Sequence, residues 1–125
     1  MQAHISALNR RDPEAIARTL HFPHYRLVDG KLKVWDGPES YFADFRKRAG
    51  SDWDHSAWGH LKLIHESADK VHLDVLVERF GKDGSKLIEF NSVWVIAKIH
   101  GVWAAQLRSS FAPDAQIIAG KASRP

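Results

Sequence analysis

Lys86-Leu87-Ile88-Glu89-Phe90-Asn91-Ser92-Val93-Trp94-Val95-Ile96-Ala97-Lys98-Ile99, the pair His100-Gly101, and Val102-Trp103-Ala104-Ala105-Gln106-Leu107-Arg108-Ser109-Ser110-Phe111 form the stretch that decides the fold. Apolar and polar side chains alternate at period two along both arms, and a glycine-containing dipeptide separates them, which is the pattern of a long β-hairpin. The same alternation runs back to Ser56, with turn chemistry at Ser67-Ala68-Asp69 and Gly81-Lys82-Asp83-Gly84. The second half of the chain therefore reads as an antiparallel meander over 56–66, 70–80, 86–99 and 102–111. Strands of this length twist and curl around whatever covers them.

Upstream the signals are helical. Ala3, Ile5, Ala7 and Leu8 form a weak apolar stripe, the mark of a short first helix. Asp12-Pro13-Glu14 starts a second, expected to run to about Leu20, because Asp accepts free first-turn amides and Pro gives up a donor that had no partner. Pro23, in His21-Phe22-Pro23-His24, breaks it and leaves a loop. Asp29-Gly30 then joins two short strands in a tight hairpin. Gly37-Pro38-Glu39 opens a third helix that gathers Tyr41, Phe42 and Phe45 on one side and closes at Gly50.

Composition narrows the function. With 125 residues, 44% of them hydrophobic, the chain reads as one globular domain over 1–113 followed by a small, polar, flexible tail over 114–125. The absence of cysteine excludes a disulfide scaffold, a zinc ribbon, a thiol nucleophile and an iron–sulfur centre. The net charge of +3 is spread through interleaved acids and bases, so no nucleic-acid partner is expected. No apolar run approaches the roughly 20 residues of a membrane span, and no leader is recognisable, so the expectation is a cytoplasmic protein without a membrane partner. His21 and His24 lack a cysteine or nearby carboxylate to complete a ligand spacing, so no metal is expected. A phosphate loop, a dinucleotide fingerprint and a Gly-x-Ser-x-Gly elbow are all missing, and no cofactor is expected.

Helices, an early hairpin and a long four-stranded meander, with Trp94-Val95-Ile96-Ala97-Lys98-Ile99-His100-Gly101-Val102-Trp103 as closing hairpin and Val34-Trp35-Asp36-Gly37-Pro38-Glu39 before the third helix, resemble the nuclear transport factor 2-like superfamily. That superfamily includes SnoaL-like cyclases, ketosteroid isomerases and scytalone dehydratases. The resemblance implies an α+β, cystatin-like cone with three N-terminal helices packed on a curved, mainly antiparallel sheet. It also implies a homodimer and a small hydrophobic ligand in the cone. The isomerase machinery itself is not matched: Val93 stands where the strand Asp is expected, Ala7 or Leu8 near the first-helix Tyr, and Asp29 would serve as base only if its turn were remodelled.

The strands carry two sets of side chains. One is almost wholly apolar and includes Val75, Val77, Phe90, Trp94 and Trp103; the other mixes Trp58, His60, Glu78, Phe80, Glu89, Asn91, Gln106 and Arg108. The resemblance points the mixed set into the pocket and the apolar set outward as a dimer face; helices covering the apolar set is the alternative. With the mixed set inside, Glu78 opposes Glu89 and Asn91 lies close to Arg108. Glu78, Arg108 and the loop residue His24 are then the candidate catalytic groups, and Tyr41, Phe45, Trp58, His60, Phe80, Asn91 and Gln106 the candidate ligand-binding ones. A structural ion pair accounts for the charged cluster equally well. Two functions stay open: a cofactor-independent isomerase, dehydratase or cyclase, and a non-catalytic ligand-binding or dimerisation domain.

Overall fold

A computed structural model describes residues 1–112; the expected tail over 114–125 lies outside the described residues. Three helices, α1 (Gln2–Asn9), α2 (Pro13–Ala17) and α3 (Pro38–Ala49), accompany six strands: β1 (Leu20–Val28), β2 (Lys31–Trp35), β3 (His55–Glu66), β4 (Lys70–Phe80), β5 (Lys86–Ile99) and β6 (Val102–Ser110). The strands form one sheet in the order β2-β1-β6-β5-β4-β3. All neighbours are antiparallel except β1 and β6, which run parallel and make the sheet mixed.

The local signals act as their chemistry requires. The Asp12 side chain accepts from the Ala15 amide at 3.2 Å and caps α2. Asp29 and Gly30 take φ of 55° and 71°, and His100 and Gly101 take 51° and 79°, the left-handed pair that closes a two-residue hairpin. Two expectations around residue 20 need correction. Helix α2 stops at Ala17, where the Thr19 hydroxyl donates to the Ile16 carbonyl, and Leu20 already pairs with Ala105. The segment expected as a loop is the first half of β1. Pro23 cannot donate to the ladder, and the pairing with β6 is irregular between Leu20 and Tyr25, so the proline marks an interrupted strand rather than its absence.

The sheet face that meets the helices also differs from the expectation. On β4 and β5 it is the apolar set: Val75 is 0% exposed, and Val77, Phe90 and Trp94 are buried with Ile5, Leu8, Ile16, Tyr41 and Phe45. Apolar area drives this choice, since burying the other set would have taken Asp74, Glu78 and Glu89 from water. Two bulges keep the division from being uniform. In β6, Ile96 pairs with Ala105 but Val95 with Leu107, leaving Gln106 as the extra residue. Strict alternation from Ala105 would turn Leu107 inward; the bulge turns Arg108 and Ser110 inward instead. In β3 the register shifts between Trp58 and His60, so Ser56 and Trp58 join the inner face while His60 stays outside. Gly59 sits at that shift, where an added Cβ would meet Leu76 Cδ2 at 2.6 Å.

Candidate functional site

Between the helices and the inner face lies a cavity of about 30 Å³, enough for a water or a very small group. Helix α1 contributes His4, Ile5 and Leu8; α3 contributes Tyr41 and Phe45; the sheet supplies Arg26, Ser56, Trp58, Val77, Arg79, Phe90, Ser92, Trp94, Arg108 and Ser110. Among the described residues no acidic side chain lines it. Three guanidiniums do, on β1, β4 and β6, each less than a tenth exposed.

Arg108 is held from several sides. It faces Arg26 across the parallel β1–β6 ladder and Trp94 across the β5–β6 ladder. Its Nη1 donates to the Tyr41 hydroxyl at 2.8 Å, and its Cζ lies 4.6 Å from the centre of the Trp94 ring and 5.3 Å from that of Tyr41. Aromatic faces stabilise a cation that burial has stripped of water. Its Nε finds no acceptor, and neither does Nε1 of Trp94. A buried donor without an acceptor costs free energy, so both groups would gain from an acceptor in the cavity.

Ser92 and Ser110 are ordered by proton counting. Ser92 Oγ donates to the Ser109 carbonyl at 3.1 Å and lies 2.8 Å from Ser110 Oγ. Its one proton being used, it accepts from Ser110, which in turn accepts from Arg26 Nε at 3.3 Å. The same reasoning fixes His4. Thr19 Oγ1 donates to Ile16 O, so at 2.9 Å it accepts from His4 Nδ1, leaving Nε2 as a lone pair. Burial, then the Arg108 charge, then the Met1 amino group push the His4 pKa down to about 3, and the ring is neutral at physiological pH. It lies among Trp58, Trp94 and Tyr41, with centroids 6.2, 5.2 and 6.2 Å away.

Of the residues expected at the site, Arg108, Tyr41, Phe45 and Trp58 line the cavity. His24 is 0% exposed on the inner face of β1, with Nδ1 3.2 Å from the Ala105 carbonyl, and belongs to a strand rather than a pocket-mouth loop. The others are elsewhere. Glu78 does oppose Glu89 as expected, but on the outer face, where Lys86 Nζ binds both at 3.0 and 2.8 Å. Asn91 is exposed on that face and is not beside Arg108. His60 lies 3.7 Å from Asp74 there, Phe80 stacks on His55 at 5.0 Å, and Gln106 in its bulge donates to the Pro23 carbonyl at 2.8 Å. Apolar preference for the interior thus separates Arg108 from every carboxylate proposed as its partner. His4, Arg26 and Arg79 were not among the candidates and Trp94 was expected on the outward face, although reading 20–28 as a strand puts Arg26 in alternation with His24 and Val28.

The fold is cystatin-like and nuclear transport factor 2-like. A cystatin-like protein of unknown function from Nostoc punctiforme is similar with TM-score 0.71 and 12% identity, covering 90% of this chain and 84% of that one. A nuclear transport factor 2-like protein of unknown function from Shewanella oneidensis gives 0.68 and 13%, covering 89% and 92%. The association domain of C. elegans CaMKII gives 0.64 and 16%, covering 89% and 88%. Neither a protein-family model nor a curated protein sequence matches the chain. No helix among the described residues is long and apolar enough to cross a membrane.

Proposed function

We propose that this chain is a small-molecule-binding domain whose ligand enters the cavity between α1, α3 and the sheet. One observation carries the reading: Arg108 Nε and Trp94 Nε1 are buried donors without acceptors on the wall of one cavity. A non-catalytic domain is favoured over an isomerase, dehydratase or cyclase, because Glu78, the expected proton carrier, is bound to Lys86 on the opposite face. The setting is cytoplasmic in this reading, as suits a cysteine-free chain. The test is a two-dimensional NMR screen of small fragments, polar and apolar. Hits should move resonances of Trp58, Trp94, Tyr41 and Arg108 together. Hits confined to the outer face would overturn the reading.

A second copy of the chain is the partner proposed for the outer face. Val34, Tyr25, Leu107 and Val95 follow one another across four adjacent strands, and Leu32 beside Leu27 extends the row. Leu27, Leu32, Val34 and Leu107 are exposed, and one such patch meeting itself about a two-fold axis satisfies both copies. This interface replaces the one expected through Val75, Phe90 and Trp94, which lie in the core.

A further inference from the structure

The chemistry of the occupant follows from which edge of Arg108 is used. Nη1 is taken by the Tyr41 hydroxyl, and no acceptor meets Nε. The edge that carries Nε and Nη2 is a two-pronged donor whose spacing matches the two oxygens of a carboxylate. We propose that the cavity takes a short-chain monocarboxylate, its two oxygens on the Nε–Nη2 edge of Arg108 and its alkyl end against the aromatic wall. The proposal rests on the ligand-binding reading above and adds the charge and shape of the ligand.

Four further observations support it. Trp94 Nε1 is a second donor on the same wall, and indole, like guanidinium, can only donate. Arg26 and Arg79 line the cavity as well, and no acidic side chain among the described residues does, which favours an anionic guest. His4, buried beside the Arg108 charge, is neutral at physiological pH, so the positive charge beside the guest is guanidinium alone. Phe45, Phe90 and Val77 complete a wall that gives an alkyl group dry contact. Size sets the limit: about 30 Å³ admits acetate or propionate with modest side-chain movement and no ring system. A steroid-sized or aromatic occupant would require the helices to part from the sheet.

The experiment follows the Trp94 indole and Arg108 Nε–H resonances of the full chain during titration with acetate and propionate, and with acetamide and propionamide as uncharged counterparts. Sodium chloride and sodium sulfate form separate arms at matched ionic strength. Saturable one-site shifts with the carboxylates, at least about ten-fold weaker with the amides and in Arg108→Met, are expected. Should Arg108→Met not fold, Arg108→Lys keeps the charge and loses the two-pronged edge, and the same weakening is expected. Equal binding of amides and carboxylates overturns the inference and leaves the ligand-binding reading intact. Chloride or sulfate binding as tightly as acetate overturns the carboxylate in favour of a simple anion. If no carboxylate, amide, salt or screened fragment moves these resonances, both fall.

Discussion

Acidification should weaken this protein through one ring, and the size of the effect follows from where His4 lies. In the unfolded chain its imidazole titrates near 6.5; in the fold, burial and the Arg108 charge hold the pKa down to about 3. Between those values the unfolded state binds the extra proton, so stability is fully present above about pH 6.5 and is lost progressively as pH falls. A pH of about 4.5 lies some two units below the free pKa and still above the folded one, and at about 1.36 kcal/mol per unit the loss is about 2.7 kcal/mol. That is a large share of the roughly 5–15 kcal/mol by which small domains are stable. The measurement is a difference between wild type and a variant that lacks this ring. Urea unfolding of wild type and His4→Phe is followed from about pH 7.5 to about pH 4.5. Phenylalanine keeps the contacts with Trp58 and Trp94 and cannot take up a proton. The variant starts less stable, having lost the Thr19 bond, but wild type should lose about 2.7 kcal/mol more than it does over the interval. Parallel curves within about 0.5 kcal/mol, or a His4 ring that titrates above about pH 5.5 by NMR in the native state, would refute the reasoning.

Asp12→Ala removes the cap on Ala15 N and should cost about 1 kcal/mol in denaturant melts, with cavity resonances unmoved. Ile16, 0% exposed in α2, should cost about 2–5 kcal/mol as Ala by the same measurement, and a loss under about 1 kcal/mol would mean that α2 is not docked. Glu78→Gln should leave the melting midpoint within about 0.5 kcal/mol of wild type and fragment binding unchanged; lost binding would return Glu78 to the site. Light scattering should find a dimer at micromolar concentration that Leu107→Glu converts to monomer, whereas a monomeric wild type would reject the outer-face interface.

Turn residues made the hairpins and α3 legible, because Asp29-Gly30, His100-Gly101 and Gly37-Pro38 each select a backbone geometry on local grounds. Period-two alternation likewise located β3 to β6 nearly to the residue. What alternation cannot convey is phase through a bulge. Gln106 carries no marker of being the extra residue, yet it decides whether Leu107 or Arg108 faces the helices. The parallel pairing of β1 with β6 was hidden for a related reason: it joins segments about 80 residues apart, and Pro23 at its start looks like a stop. Of the cavity lining, Tyr41, Phe45, Trp58 and Arg108 were therefore legible as candidates. His4, Arg26 and Arg79 are polar residues in apolar stripes, where sequence gives no reason to prefer the interior.

The hydroxyls between Arg26 and the Ser109 carbonyl have a direction, and that has a consequence for any guest. A serine on a pocket wall normally spins its O–H to suit whatever arrives, which makes such walls tolerant of donors and acceptors alike. Here each proton is already handed one step along, from Arg26 to Ser110, from Ser110 to Ser92 and from Ser92 to the backbone. Turning either hydroxyl would break the bond it donates. Toward the cavity these oxygens can therefore offer only lone pairs, and they repel the acceptor end of an incoming molecule. A donor group of a guest is accepted at Ser92 and Ser110 and an acceptor group at Arg108 and Trp94, so adjoining parts of one wall select opposite ends of a polar molecule.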